Sequence, residues 1–239
     1  MRLPLNTIHW YLVLPFLAVI AWRSFSARNT SQNKLNFYFG LSALSFFLAM
    51  LCYGLPPLLA EPTSIWLTYG TIAGDILQFI ALAWLWLAVV RIYLPGKRLA
   101  RTAVIVCELI LITAGVYFSI VENMAYPVTM LYVDGAWQID FASSQGYQIV
   151  TAIQYGSLLL LGIRFMLQGR SAAGTYKKLR LFSLAILFII IGGMYVLRPI
   201  LSIDVTNNSF SYIVAIIHIL VAIFLVVSMY LASHKKGLQ

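Results

Sequence analysis

Residues 66–90 read WLTYGTIAGDILQFIALAWLWLAVV, a run of 25 residues in which Asp75 is the only charged side chain. As an α-helix rising 1.5 Å per residue, this run extends about 37 Å and exceeds the ~30 Å hydrocarbon core of a bilayer. In lipid such a helix satisfies its backbone hydrogen bonds internally and leaves its apolar side chains in an apolar solvent. The stretch therefore predicts a transmembrane helix. Six further apolar runs of comparable length follow the same rule, at 4–22, 36–57, 102–121, 147–166, 181–201 and 209–232. The expected fold is all-α, a single domain over residues 1–239 built as a polytopic bundle of seven transmembrane helices. The first run contains Pro15 and is preceded by the lone Arg2. No small-residue cleavage pattern follows Trp22, where the chain continues Arg23-Ser24-Phe25, so the run reads as a helix and not as a signal peptide.

Composition agrees with this reading. Of 239 residues, 62% are hydrophobic and 10% charged, and the mean hydropathy is +0.89. Soluble chains are roughly 25% charged, so these ionic groups are too few to clothe a globular surface in water. A soluble enzyme, a coiled coil and a disordered chain are all excluded. Cys52 and Cys107 lie inside apolar runs and offer neither a disulfide framework nor a metal-ligand spacing.

The net charge of +9 names no nucleic-acid partner once the placement of the charges is considered. Arg23, Arg28 and Lys34 follow the first run, and Arg91, Lys97, Arg98 and Arg101 follow the third. Arg164, Arg170, Lys177, Lys178 and Arg180 follow the fifth, and Lys235 and Lys236 follow the last. One side of the membrane thus collects 14 of the 16 basic residues. The opposite side holds Arg2, Arg198, Glu61, Glu122, Asp134, Asp140 and Asp204. By the positive-inside rule the amino terminus is outside and the carboxyl terminus cytoplasmic, with the bilayer's anionic head groups as partner of the basic loops. The expected location is a bacterial inner (cell) membrane.

The connection from Glu122 to Gly146 is longer than the others and has its own pattern. Val128 to Val133 and Ala136 to Phe141 are β-prone runs flanking Asp134-Gly135, a dipeptide suited to the positive φ angles of a tight turn. An external two-stranded β-hairpin is expected, with Leu131–Val133 paired to Ala136–Gln138. It is either a lid or contact surface for a ligand, or a cap over helix ends.

Ionisable and amide groups inside apolar helices mark candidate sites, because hydrocarbon penalises them unless they are paired. Asp75 and His218 each lie about nine residues, or ~13 Å, from the outer end of their helices. Gln78 is one turn below Asp75 on the same face. Gln154 and Tyr155 reach similar depth on the fifth helix, and Tyr195 and Arg198 share one face of the sixth. Asp75, Gln78, Gln154, Tyr155, Tyr195, Arg198 and His218 are the candidate ligand-binding residues of an outward-facing polar pocket. The competing reading is a clasp in which Asp75 is held by Arg198 or His218 with no ligand. Asp75 is expected to find its partners among His218, Arg198, Gln154 and Tyr195. Glu108 is deeper and expected to stand apart, snorkelling, protonated or paired with an inner basic residue. Trp10, Trp22, Trp66 and Tyr93 near segment ends read as an interfacial belt, and Gly192-Gly193 as close helix packing.

Several chemistries lack their residues. No Lys falls within the seven runs, so retinal has no Schiff-base amine. Ala73-Gly74-Asp75 grazes an intramembrane aspartyl protease pattern, but no second run supplies an Asp. His-Glu-x-x-His, Gly-x-Ser-x-Gly and phosphate-binding Gly-rich motifs are absent from the sequence, and His9 and His218 differ in depth as haem ligands. The expectation is a non-enzymatic protein with no cofactor and no metal.

The order of features resembles the seven-helix sensor region at the amino end of many bacterial histidine kinases and cyclase-type signalling proteins. The residues that carry the resemblance are Ala21-Trp22-Arg23, Trp66-Leu67-Thr68-Tyr69-Gly70 and Gly146-Tyr147-Gln148-Ile149. They continue with Tyr155 to Gly162, Tyr176-Lys177-Lys178-Leu179-Arg180 and Ile203-Asp204-Val205-Thr206. The resemblance implies a sensor of a ligand or of membrane state and carries over no catalytic residue. It departs from the family at His234–Gln239, where no kinase or cyclase follows. Signal transmission is therefore expected through a protein partner at the cytoplasmic loops or helix faces, with a small or lipidic ligand in the outer half. The alternatives are an accessory or scaffold subunit of a membrane complex and a small transporter or channel. Internal repeats and helices broken at the midplane, which would favour a transporter, are not evident.

Overall fold

A computed structural model describes residues 4–26, 33–93, 96–133, 135–141 and 145–200, with isolated positions between 213 and 223. Six helices are long and apolar enough to cross a membrane, consistent with an integral membrane protein. They are α1 (Ile8–Ser26), α2 (Asn33–Leu59), α3 (Ile65–Tyr93), α4 (Arg98–Ala125), α5 (Gln145–Ser171) and α6 (Thr175–Ile200). The expected seventh segment, 209–232, lies almost wholly outside the described residues, and so does His218. Its described positions, such as Ile213 and Ile217, are helical, and Ile217 packs against the core formed by α3, α5 and α6.

The helices run past the hydrophobic segments on which the sequence boundaries rested. Arg91 lies in the last turn of α3, Arg98 and Arg101 are in the first turn of α4, and Arg170 lies within α5, all beyond the bounds expected for those runs. Backbone hydrogen bonding does not stop at the edge of the hydrocarbon, and long basic side chains reach the interface while their Cα atoms stay helical. The connection expected at 122–146 shortens for the same reason, since α4 continues to Ala125 and α5 starts at Gln145.

Helix α2 packs along α3, α1 along α2, α3 along α4, and α5 along α6. The main core joins Leu82, Leu85 and Val89 of α3 to Tyr155, Leu158 and Leu161 of α5 and Leu187 and Phe188 of α6. Helix α4 is more peripheral, with Ile105, Val106, Leu109 and Ile110 exposed on one side and Glu108, Ser119 and Asn123 buried on the other.

Between α4 and α5 the chain forms an antiparallel hairpin, β1 (Thr129–Val133) with β2 (Ala136–Asp140). Its register pairs Leu131 with Gln138, Tyr132 with Trp137 and Val133 with Ala136, the expected pairing. Gly135 supplies the turn with φ of +80°, a conformation that a side chain disfavours. Val128, Met130 and Ile139 pack on Leu67 of α3, with Trp10 of α1 and Phe141 at the edge. Backbone donors help hold the hairpin down: Met130 N–H donates to Pro62 O at 2.8 Å and Val128 N–H to Thr68 Oγ1 at 3.0 Å. The hairpin therefore covers one end of the bundle, where α1, α3 and α5 begin. Arg23, Arg91, Arg98, Arg101, Arg164, Arg170, Lys177 and Lys178 sit at the opposite helix ends.

Candidate functional site

Asp75 lies ten residues into α3, ~15 Å from its start, and is 5% exposed. Three hydroxyls from three other helices converge on its carboxylate. Tyr53 of α2 donates to Oδ1 at 2.6 Å, Tyr147 of α5 donates to Oδ1 at 2.7 Å, and Ser119 of α4 donates to Oδ2 at 2.6 Å. These lengths fall in the range of well-formed O–H···O bonds.

Local sequence explains the convergence. Gly74 leaves room for the Tyr53 ring, which would stand 2.6 Å from a Cβ at that position, so α2 approaches α3 closely enough for the hydroxyl to reach Asp75. The fragment Ala73-Gly74-Asp75 is thus a helix-packing feature. On α5, Tyr147, Thr151 and Tyr155 recur every four residues and share one face. Ser119 and Asn123 do the same on α4, and Asn123 Nδ2 donates to Ser119 O at 2.8 Å.

A second tier lies one turn below. Gln78 Oε1 is 2.8 Å from the Tyr53 hydroxyl, and Gln78 Nε2 donates to Tyr155 and, at 3.5 Å, to Tyr195 of α6. The Tyr155 and Tyr195 rings stack with centroids 3.8 Å apart. Tyr53 has one proton and two acceptors, Asp75 and Gln78, so it donates to one at a time. The network joins five helices, α2 to α6.

The structure thus brings together Asp75, Gln78, Tyr155 and Tyr195 of the expected set. Gln154 does not join them. It is fully buried, and its Nε2 donates to Glu108 Oε2 at 3.1 Å and to Phe79 O at 3.3 Å. Successive helical residues project about 100° apart, so Tyr155 faces Asp75's tier while Gln154 turns to α4. Glu108 stands apart from Asp75 and Gln78, as expected, but its described partner is the amide of Gln154. The expected partners of Asp75 are corrected likewise: among the described residues they are Tyr53, Ser119 and Tyr147. Arg198 stands one turn beyond Tyr195 on α6, but its side chain lies outside the described residues, as does His218.

Between the two polar groups sits Phe79, 2% exposed, its ring edge-on to Tyr147 at 6.2 Å and packed where Gly115 of α4 carries no side chain. Sequence reading missed Tyr53, Ser119 and Tyr147 because a neutral hydroxyl in an apolar run carries no charge to flag it. The four-residue polar spacing on α4 and α5 was the available signal. Among the described residues no three His, Cys, Asp or Glu side chains gather as metal ligands. What the site offers is a buried carboxyl group, hydroxyls that can turn from donor to acceptor, and stacked aromatic faces.

No protein-family model matches this chain, and no curated protein matches it.

Proposed function

We propose that this chain is a non-enzymatic, seven-helix sensor or receptor-like protein of a cell membrane, most simply a bacterial inner membrane. Its amino terminus and hairpin face outside and its basic loops face the cytoplasm. A small or lipidic ligand acts on the polar site in the outer half, and a separate protein partner at the inner loops or helix faces receives the signal. One observation carries this reading: the buried carboxyl of Asp75 is held by hydroxyls from three other helices and connected through Tyr53 and Gln78 to α6. A clasp between two helices needs one partner; a network spanning five helices makes their relative positions depend on the occupancy of one site. The sharing of Tyr53 between Asp75 and Gln78 supplies two discrete hydrogen-bond arrangements for a ligand to select between. Arg198 and His218 belong to the proposed site by their placement in the sequence.

The test is purification in mild detergent followed by thermal unfolding against a panel of small polar and lipidic solutes. The reading expects at least one solute to raise the midpoint for the native chain and not for Asp75→Asn. A chain that purifies only with other subunits, and whose Asp75→Asn form differs solely in stability, would instead be an accessory subunit. The exposed apolar side of α4 supports that second reading by offering a face for a neighbouring helix.

A further inference from the structure

A continuous line of ring contacts connects the hairpin to the buried carboxylate. Phe141, directly after β2, meets Trp10 of α1 edge-on with centroids 5.8 Å apart. Trp10 in turn stacks on the ring of Tyr53 at 4.7 Å and 30°. Tyr53 donates to Asp75 at 2.6 Å. Trp10 also packs against the layer formed by Leu67, Val128, Met130 and Ile139, and Leu67 is eight residues, or ~12 Å, closer to the helix end than Asp75. The indole thus fills the level between hairpin and site and touches both.

We propose that the hairpin and Trp10 form the gate of the Asp75 site. Lifting the hairpin edge at Phe141 frees the indole from the Tyr53 ring and opens the site from the hairpin end. The hairpin's anchors on Pro62 and Thr68 lie in the α2–α3 connection and the first turns of α3, and β2 also packs on residues 5–7 ahead of α1. All of these are outside the main core of α3, α5 and α6, so lifting the hairpin leaves that core in place. With the indole gone, the Tyr53 ring loses the surface that holds it over Gly74, and its hydroxyl is released from Asp75. Trp10 and Phe141 are positioning residues in this scheme; the group that meets a solute is Asp75. The inference rests on the reading of Asp75 as the functional site, and its test measures access alone, independently of any response.

Ser119→Cys places a thiol beside Asp75 in a background where Cys52 and Cys107 are replaced by Ala. Ser183→Cys, on the buried side of α6, reports on general loosening. Both are treated in detergent micelles with a small cationic methanethiosulfonate reagent. A closed gate keeps the open state to a minor population, so the thiol at position 119 should label slowly with Trp10 present and about tenfold faster in Trp10→Ala and in Phe141→Ala. Labelling at position 183 should stay unchanged, and Trp10→Phe, which keeps a stacking ring, should restore slow labelling at position 119. The gate is overturned if position 119 labels no faster in either variant, or if position 183 accelerates equally. Phe141 lies outside the helices, so its variant answers the question even where Trp10→Ala fails to fold. A failed gate with an intact solute effect at Asp75 leaves the sensor reading standing; the reverse result removes the sensor reading and keeps the gate.

Discussion

Gln154 Nε2 donates to Glu108 Oε2 at 3.1 Å, which ties α5 to α4 where the two helices otherwise meet sparsely. Replacing Gln154 with Leu leaves a buried carboxyl without its amide donor, at a cost of about 1–3 kcal/mol. Thermal unfolding in micelles should show the midpoint falling, while Glu108→Gln, which preserves an amide–amide pair, should show a smaller drop. Equal midpoints for Gln154→Leu and the native chain would refute the contribution of this bond.

Tyr53→Phe keeps the ring against Gly74 and Trp10 and removes only the hydroxyl. The loss of this buried hydrogen bond should lower stability by about 0.5–3 kcal/mol. In the Asp75→Asn background the same change should have a smaller effect, since an amide standing there does not present an acceptor oxygen at both of its terminal positions. A double-mutant cycle should therefore give a coupling of about 0.5–3 kcal/mol. Strict additivity would mean that the two side chains act independently.

Gly74→Leu drives a side chain into the Tyr53 ring and should part α2 from α3. Overpacking of this kind costs about 1–3 kcal/mol. Because the Tyr53 hydroxyl is then withdrawn from Asp75, a thiol introduced by Ser119→Cys should label faster in this variant than in the native background. Unaltered labelling and stability would show that the ring moves aside without disturbing the site.

Gly135→Val places a β-branched residue at φ of +80°, where a side chain costs about 1–2 kcal/mol. Amide exchange over Thr129–Asp140 should accelerate, with exchange in the α3–α5–α6 core unchanged. Protection of the strands at the native level would contradict the turn's dependence on glycine.

The proposed orientation is checked by reporters. A tag after Gln239 should be shielded in intact cells and one inserted after Tyr126 should be reached by antibody from outside. An exposed carboxyl-terminal tag would reverse the orientation and the side from which the site is entered.

Six helices long and apolar enough to cross a membrane, and the hairpin, were legible in the amino-acid order, for the same physical reason. Hydropathy over about 20 residues decides whether a segment prefers lipid, and Asp134-Gly135 between two β-prone runs decides a turn; both are local properties. Asp75 as a buried, hydrogen-bonded side chain was legible too, because an acidic residue in an apolar run is conspicuous by itself. Its partners were not. Depth along each helix placed Gln154, Tyr155 and Tyr195 at one level, but depth says nothing about the rotation of a helix about its axis. That rotation turns Gln154 toward Glu108 and Tyr155 toward Gln78. The hydroxyls of Tyr53, Ser119 and Tyr147 carry no charge, and only the packing of α2, α4 and α5 around α3, which Gly74 permits on the α2 side, aims them at one carboxylate. The acidic side chain of Asp75 is a property of the sequence; its neighbours are a property of how helices distant in the chain are turned against one another.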